Sequence, residues 1–198
     1  MKKMIETYRQ INLSFFIFIA LSTALFDKAA HSHELQENRA SLVLRNERQI
    51  SITFYLNLSE LMHKTIAPKQ NRFELVAKLA ATSEDDFLKN YDFTKKNTEG
   101  SVFFKHASGK KITAREWQWP DPKTAQESMR ELTMQTVVGS SSHVHENPIE
   151  VKLQIQSDVS LDSLLLELPS SMRPMTLVAS RPKQTRFDLS AKEITIHF

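Results

Sequence analysis

Ile50-Ser51-Ile52-Thr53-Phe54-Tyr55-Leu56 alternates without a break. Ile50, Ile52, Phe54 and Leu56 fall on one side, and Ser51, Thr53 and Tyr55 on the other. A period of two is the mark of a half-buried strand. Just upstream, Ala40-Ser41-Leu42-Val43-Leu44-Arg45 repeats the pattern, with Ala40, Leu42 and Leu44 sharing a face. The polar Asn46-Glu47-Arg48-Gln49 between the two runs predicts an antiparallel hairpin. Far downstream, Ile149, Val151, Leu153 and Ile155 alternate with Glu150, Lys152, Gln154 and Gln156. Shorter strand-like runs lie at Ser101–His106, Lys111–Trp119, Ser163–Leu168, Met175–Ser180, Gln184–Leu189 and Glu193–Phe198. The first two of these, Ser101–His106 and Lys111–Trp119, are joined by Ala107-Ser108-Gly109-Lys110, a hairpin turn where Gly109 supplies a positive φ.

Between these runs the period becomes helical. Ser59 is placed to cap a short helix running to Lys64 and ending at Ala67-Pro68. Over residues 72–97, Phe73, Val76, Ala77 and Ala80 fit one helix face. Ser83, followed by Glu84, Asp85 and Asp86, then reads as a cap with acids in the first turn. Phe87 and Tyr91, four apart, form a core stripe. Asp121-Pro122 opens a helix to about Val137, with Ala125, Met129, Leu132 and Thr136 along one side. Trp117 and Trp119, two apart on a strand, read as core packing rather than a ligand platform. The expected fold is α+β: an antiparallel immunoglobulin-like β-sandwich with a helical insertion, its helical segments at about 59–97 and 121–137. Residues 33–198 are expected to form a single domain; a division near residue 140 into two small halves is the alternative.

Composition narrows the function. The 198 residues carry 26 Lys and Arg against 23 Asp and Glu, a formal charge of +3. Residues 1–30 hold Lys2, Lys3, Arg9 and Lys28 against Glu6 and Asp27, so the remainder is close to neutral and has no footprint for nucleic acid. The absence of Cys excludes a disulfide framework, a thiolate zinc site, a Cys nucleophile and a lipobox-type anchor. Three glycines frame no phosphate loop and no nucleophile elbow. Asp85-Asp86 suits a helix N-terminus better than acid–base work, and no His-Glu-x-x-His occurs. No catalytic set is expected.

The first residues read as a secretory signal. Lys2, Lys3 and Arg9 precede an uncharged stretch from Gln10 to Phe26 centred on Phe15–Leu21. Ser22-Thr23-Ala24 and Ala30-His31-Ser32 both fit the small-x-small rule, so the signal peptide is taken as residues 1–32, with cleavage after Ala24 or Ser32. The expected location is the periplasm; the alternative is anchorage in the inner membrane by an uncleaved signal. No later run approaches membrane length.

Histidine placement is the unusual feature. His31 and His33 flank Ser32, and His143 and His145 flank Val144 in the polar stretch Gly139–Pro148. On extended chain, i and i+2 point the same way, so each pair can offer two imidazoles to copper, nickel or zinc, with Glu34 or Glu146 adding a carboxylate. A free amine on His33 would strengthen a copper site. His63, His106 and His197 stand alone. Met172-Arg173-Pro174-Met175 offers two thioethers to Cu(I), but a turn into a buried strand explains it as well.

Ala30-His31-Ser32-His33-Glu34-Leu35 and Arg39-Ala40-Ser41-Leu42-Val43-Leu44-Arg45 resemble the start of the exported N-terminal domain of HupE/UreJ-type membrane proteins. Leu166-Glu167-Leu168-Pro169 and Arg181-Pro182-Lys183-Gln184 are similar to that domain's end. The resemblance covers both ends of the exported part and not its helical middle. It implies a small periplasmic β-sandwich working near a membrane partner or a metal pathway. The family's membrane helices have no counterpart here, so transport is not implied. The chain is also similar to exported proteins of marine gammaproteobacteria, for which no activity is implied. Two functions are therefore expected: a non-catalytic periplasmic module docking on an envelope or inner-membrane protein, or a metal-binding protein using His31, His33, His143 and His145.

Overall fold

The computed structural model describes residues 37–138 and 146–182. Among them are eight strands and four α-helices, so the fold is α+β. The predicted hairpin forms as β1 (Asn38–Asn46) and β2 (Gln49–Leu56), antiparallel with Leu42 opposite Ile52. The long downstream alternation is β6 (Ile149–Gln156), antiparallel to β2 along its whole length. Strands from both sides of residue 140 thus share one sheet.

Three rungs carry the inward face: Ala40–Phe54–Val151, Leu42–Ile52–Leu153 and Leu44–Ile50–Ile155. Phe54, Val151 and Ile155 are fully buried, while Glu150 and Lys152 stay exposed on the far side. β8 (Met175–Ser180) completes this sheet at one edge and β5 (Ala114–Gln118) at the other, in the order β5-β6-β2-β1-β8.

The expected sandwich was wholly antiparallel, and here the structure corrects it. β1 and β8 run parallel, with Ala40 opposite Leu177, so the main sheet is mixed. Alternation encodes which side of a sheet a residue faces and carries no information on strand direction. A second, three-stranded sheet is ordered β4-β3-β7, from Lys111–Ile112, Phe103–His106 and Leu164–Glu167. The run expected as one strand over Lys111–Trp119 divides at Thr113, so that β4 lies in the small sheet and β5 in the large one. Ser101 belongs to the preceding helix, and β3 starts two residues later.

The helices are α1 (Leu58–Ile66), α2 (Arg72–Ala81), α3 (Glu84–Ser101) and α4 (Pro122–Val138). Ser83 caps α3 as expected, its hydroxyl accepting from the Asp86 N–H. Three helical expectations need correction. The α1 cap is Asn57, whose Oδ1 accepts from the Glu60 N–H at 2.9 Å. On α2 the buried stripe is Leu75, Val76, Leu79 and Ala80, whereas Phe73 is 48% exposed and Ala77 is exposed. That phase follows from α4, which packs on α2. Gln126 Nε2 donates to the Thr82 carbonyl at 2.9 Å and Arg130 Nε to the Ala80 carbonyl at 3.0 Å. Both satisfy carbonyls that a helix end leaves without partners. On α4, Ala125, Met129 and Leu132 are buried with Gln126, and Thr136 is exposed.

Aromatic rings join the layers. Phe54 stacks on Trp117 at 6.3 Å, and Trp117 on Trp119 at 6.5 Å. Trp119 meets Tyr91 edge-on at 6.2 Å, and Tyr91 stacks on Phe87 at 5.8 Å. Both tryptophans pack against the core, half-buried. A bulge in β5 lets them do so: one extra residue sits between Arg115 and Gln118, and Glu116 takes a φ of 57°. The Trp119 Nε1–H donates to Glu99 at 2.8 Å, and the Tyr91 hydroxyl to the Pro120 carbonyl at 3.0 Å. Met172 is fully buried and Met175 packs on the core, so the two thioethers serve as packing.

Candidate functional site

The four histidines singled out for metal, His31, His33, His143 and His145, lie outside the described residues, as do Glu34 and His197. Among the described residues no group of three or more metal-ligating side chains comes together. His63 Nε2 lies 2.6 Å from the Gln70 carbonyl oxygen, and His106 Nδ1 lies 2.9 Å from the Ser108 hydroxyl. His63 and His106 thus each have a local structural partner.

Glu146, proposed from sequence as an extra metal carboxylate, is committed elsewhere. One of its oxygens accepts the Ser59 N–H at 2.8 Å, and the other accepts the Ser59 hydroxyl. Burial pushes its carboxyl above the ordinary carboxylate range, while the Ser59 hydrogen bonds and the charge of Arg72 pull the other way. Asn57 Oδ1 lies 3.0 Å from the Ser59 hydroxyl oxygen, whose single proton faces both it and Glu146, and the Asn57 N–H donates to Asn38 Oδ1 at 2.9 Å. Asn38, 6% exposed, donates in turn to the Met172 carbonyl at 3.0 Å. The start of α1 is therefore a polar knot tying β1, α1, the turn before β8 and the segment entering β6. The first-turn acids of α3 are likewise structural: Asp86 bonds Ser83 and Lys89, and the Lys89 contact holds its carboxyl below its usual value.

Among the described residues, one opening lies at the other edge of the main sheet. A cleft of about 490 Å³ separates β8 and β1 from β7. Its floor includes Ile50 and Leu161, both buried, and its walls carry Leu42 and Leu44 from β1, Leu177 and Ala179 from β8, and Leu164 and Leu166 from β7. Register explains why these walls are apolar. Leu177 is paired with Ala40 and Ala179 with Leu42, so both face inward, and Leu166 is paired with the buried Phe104. Ala40 is 1% exposed, yet its neighbour Leu177 is 51% exposed. Among the described residues, β7 and β8 are each the last strand of their sheets. Two inner faces thus part at their free edges and leave leucines uncovered. Asp162 and Arg181 sit at the mouth, and Arg181 reaches toward Glu47 at 4.0 Å. Sequence reading placed Leu42 and Leu44 on one face of a strand and left Leu177 inside the strand-like run Met175–Ser180. Comparison of the chain with family models, curated proteins and solved structures finds no match.

Proposed function

We propose that this chain is an exported, non-catalytic interaction module of the periplasm that seats an extended, alternately apolar segment of an envelope partner in the cleft between β7 and β8. One observation carries the reading: Leu177 shares the face of the buried Ala40 and is half-exposed beside an apolar opening of about 490 Å³. A free strand edge offers unpaired N–H and C=O groups at the strand spacing. An apolar wall beside it selects every second side chain, which is how strand addition combines affinity with specificity. The signal-like residues 1–32 support the compartment, and the likeness to exported HupE/UreJ-type domains supports a membrane-side partner. No helix among the described residues is long and apolar enough to cross a membrane.

A photo-reactive residue in place of Leu177, compared with one in place of the far-face Thr53, tests this in exported protein. The expected result is a cross-link from position 177 to one envelope protein, reproduced with a synthetic peptide from the cross-linked segment. Adducts from both positions, or from neither, overturn the reading.

A further inference from the structure

We propose that the outward face of the main sheet lies flat on a bilayer surface of anionic phospholipid, held there by Arg39, Arg45 and Arg115. This surface is on the side of the sheet away from the core, and it is independent of the docking reading above. Strand register sets what it presents. Arg39 lies opposite Tyr55, and Ser41 opposite Thr53. From β2 to β6, Thr53 meets Lys152 and Ser51 meets Gln154, which pairs in turn with Arg115 of β5. These positions alternate with the buried rungs, so they share the far side of the sheet. Arg45 reaches the same side, because its Nε donates to the Ser51 hydroxyl at 3.2 Å. All three arginines are exposed.

Charge and placement together select the partner. The strand positions of this face carry Arg39, Arg45, Arg115 and Lys152 against one carboxylate, Glu150, which pairs with Lys152 at 2.9 Å. Glu116 stands next to Arg115 in the β5 bulge. Among the described residues, no carboxylate lies within 4.0 Å of the three arginines. Two of the guanidinium groups are held against the sheet by its own side chains, Arg39 over the Tyr55 ring at 4.3 Å and Arg45 by Ser51. Both keep terminal N–H groups for an anion, and the planar guanidinium suits phosphate. The three cations form a triangle. Arg39 and Arg45 stand toward opposite ends of β1, about 20 Å apart at the strand rise, and Arg115 is three strands across, about 14 Å away at the strand spacing. A straight polyanion that follows one side of such a triangle misses the third corner, whereas a layer of phosphates meets all three at once. The side chains between the corners, Ser41, Ser51 and Thr53, are short and leave the approach clear. Each cation at an anionic surface raises partitioning about fivefold, so the three together give about a hundredfold.

Vesicle co-sedimentation of the exported protein tests this, with equimolar phosphatidylglycerol and phosphatidylcholine set against phosphatidylcholine alone. Wild type should bind the mixed vesicles and not the neutral ones, and should come off as salt rises. Arg39→Gln with Arg45→Gln and Arg115→Gln should weaken binding about a hundredfold. Lys78→Gln with Lys96→Gln and Lys123→Gln removes the same charge from exposed positions on α2, α3 and α4, and should weaken it less than about fivefold. Equal losses in the two triple variants, or equal binding to the two vesicles, would overturn the proposal. Soluble polygalacturonate is the third arm. Binding to it as tight as to the mixed vesicles, and lost in the same arginine variant, would assign the face to an acidic glycan instead. A second reading leaves the arginines in place. The chain contains no cysteine, so Thr53→Cys carries an environment-sensitive dye at the centre of the face without background. Its emission should shift to the blue on mixed vesicles, while the same dye on Lys78→Cys should not shift, and equal shifts count against the proposal. Position 53 then meets lipid and no protein, so it still serves as the control for cross-linking from Leu177.

Discussion

Glu146 shows how much one side chain can tie together. Its two oxygens hold Ser59 at the start of α1, and burial raises its carboxyl above the unfolded value of about 4.5. For an acid raised in the folded state, the fold binds more protons than the unfolded chain does. Its contribution is therefore full below the unfolded value and is lost as pH rises through the folded one. Glu146→Gln should flatten the fall in stability in the window above about pH 4.5, measured by urea midpoints across pH. A steeper fall in the variant would assign the dependence to another group. Asn38 is the companion case. Asn38→Ala leaves the Met172 carbonyl and the Asn57 N–H without partners and should cost about 1–3 kcal/mol for each group left buried, read from urea unfolding. Neither role was legible in the sequence. Asn57 and Ser59 are both capping residue types two positions apart, and only the fold around them makes Asn57 the cap and Ser59 the donor to Glu146.

For the secondary-structure elements, legibility followed burial contrast. β2 alternates between buried and half-buried residues and β6 between buried and mostly exposed ones, and their inward residues were readable one by one. Leu153→Ala should therefore cost about 2–5 kcal/mol and Phe54→Ala about 3–5. Lys152→Ala, whose ion pair with Glu150 is exposed, should change stability by less than about 1 kcal/mol. Equal losses across the set would mean the strand phase is wrong. Ser83→Ala should cost about 1 kcal/mol through loss of the α3 cap, seen as a lower thermal midpoint. On α2 the sequence reading took the face of Phe73, Val76, Ala77 and Ala80, whereas the structure buries Leu75, Val76, Leu79 and Ala80. Helical periodicity accepts either. The choice falls to α4, whose Gln126 and Arg130 clasp the end of α2 and so fix its rotation. Strand direction was invisible for a similar reason, because Ala40 and Leu177 would share a face whether β1 and β8 ran parallel or antiparallel. The cleft escaped notice because a leucine facing an empty wedge has the same sequence pattern as one facing a partner.

In the whole molecule, the export reading predicts an intact mass for envelope-isolated protein that begins at Leu25 or His33. A species retaining Met1 and sedimenting with membranes would restore the anchored alternative. The sheet order has a further consequence. β1 takes its two neighbours from positions next to it in the chain and more than a hundred residues away, since β2 is its hairpin partner and β8 pairs Asn38 with Met175. Contacts that span most of a chain form late and slowly, because the loop between them must close first. The central sheet therefore cannot be completed on the ribosome until nearly all of the chain has emerged. Until then the hairpin exposes one bare edge and the leucines of an unfinished wall. A polypeptide that must pass through a narrow translocation pore as an extended thread gains from such a delay. On the proposed export route, the topology would act as a timer, keeping the chain threadable during synthesis and letting it close only on the far side.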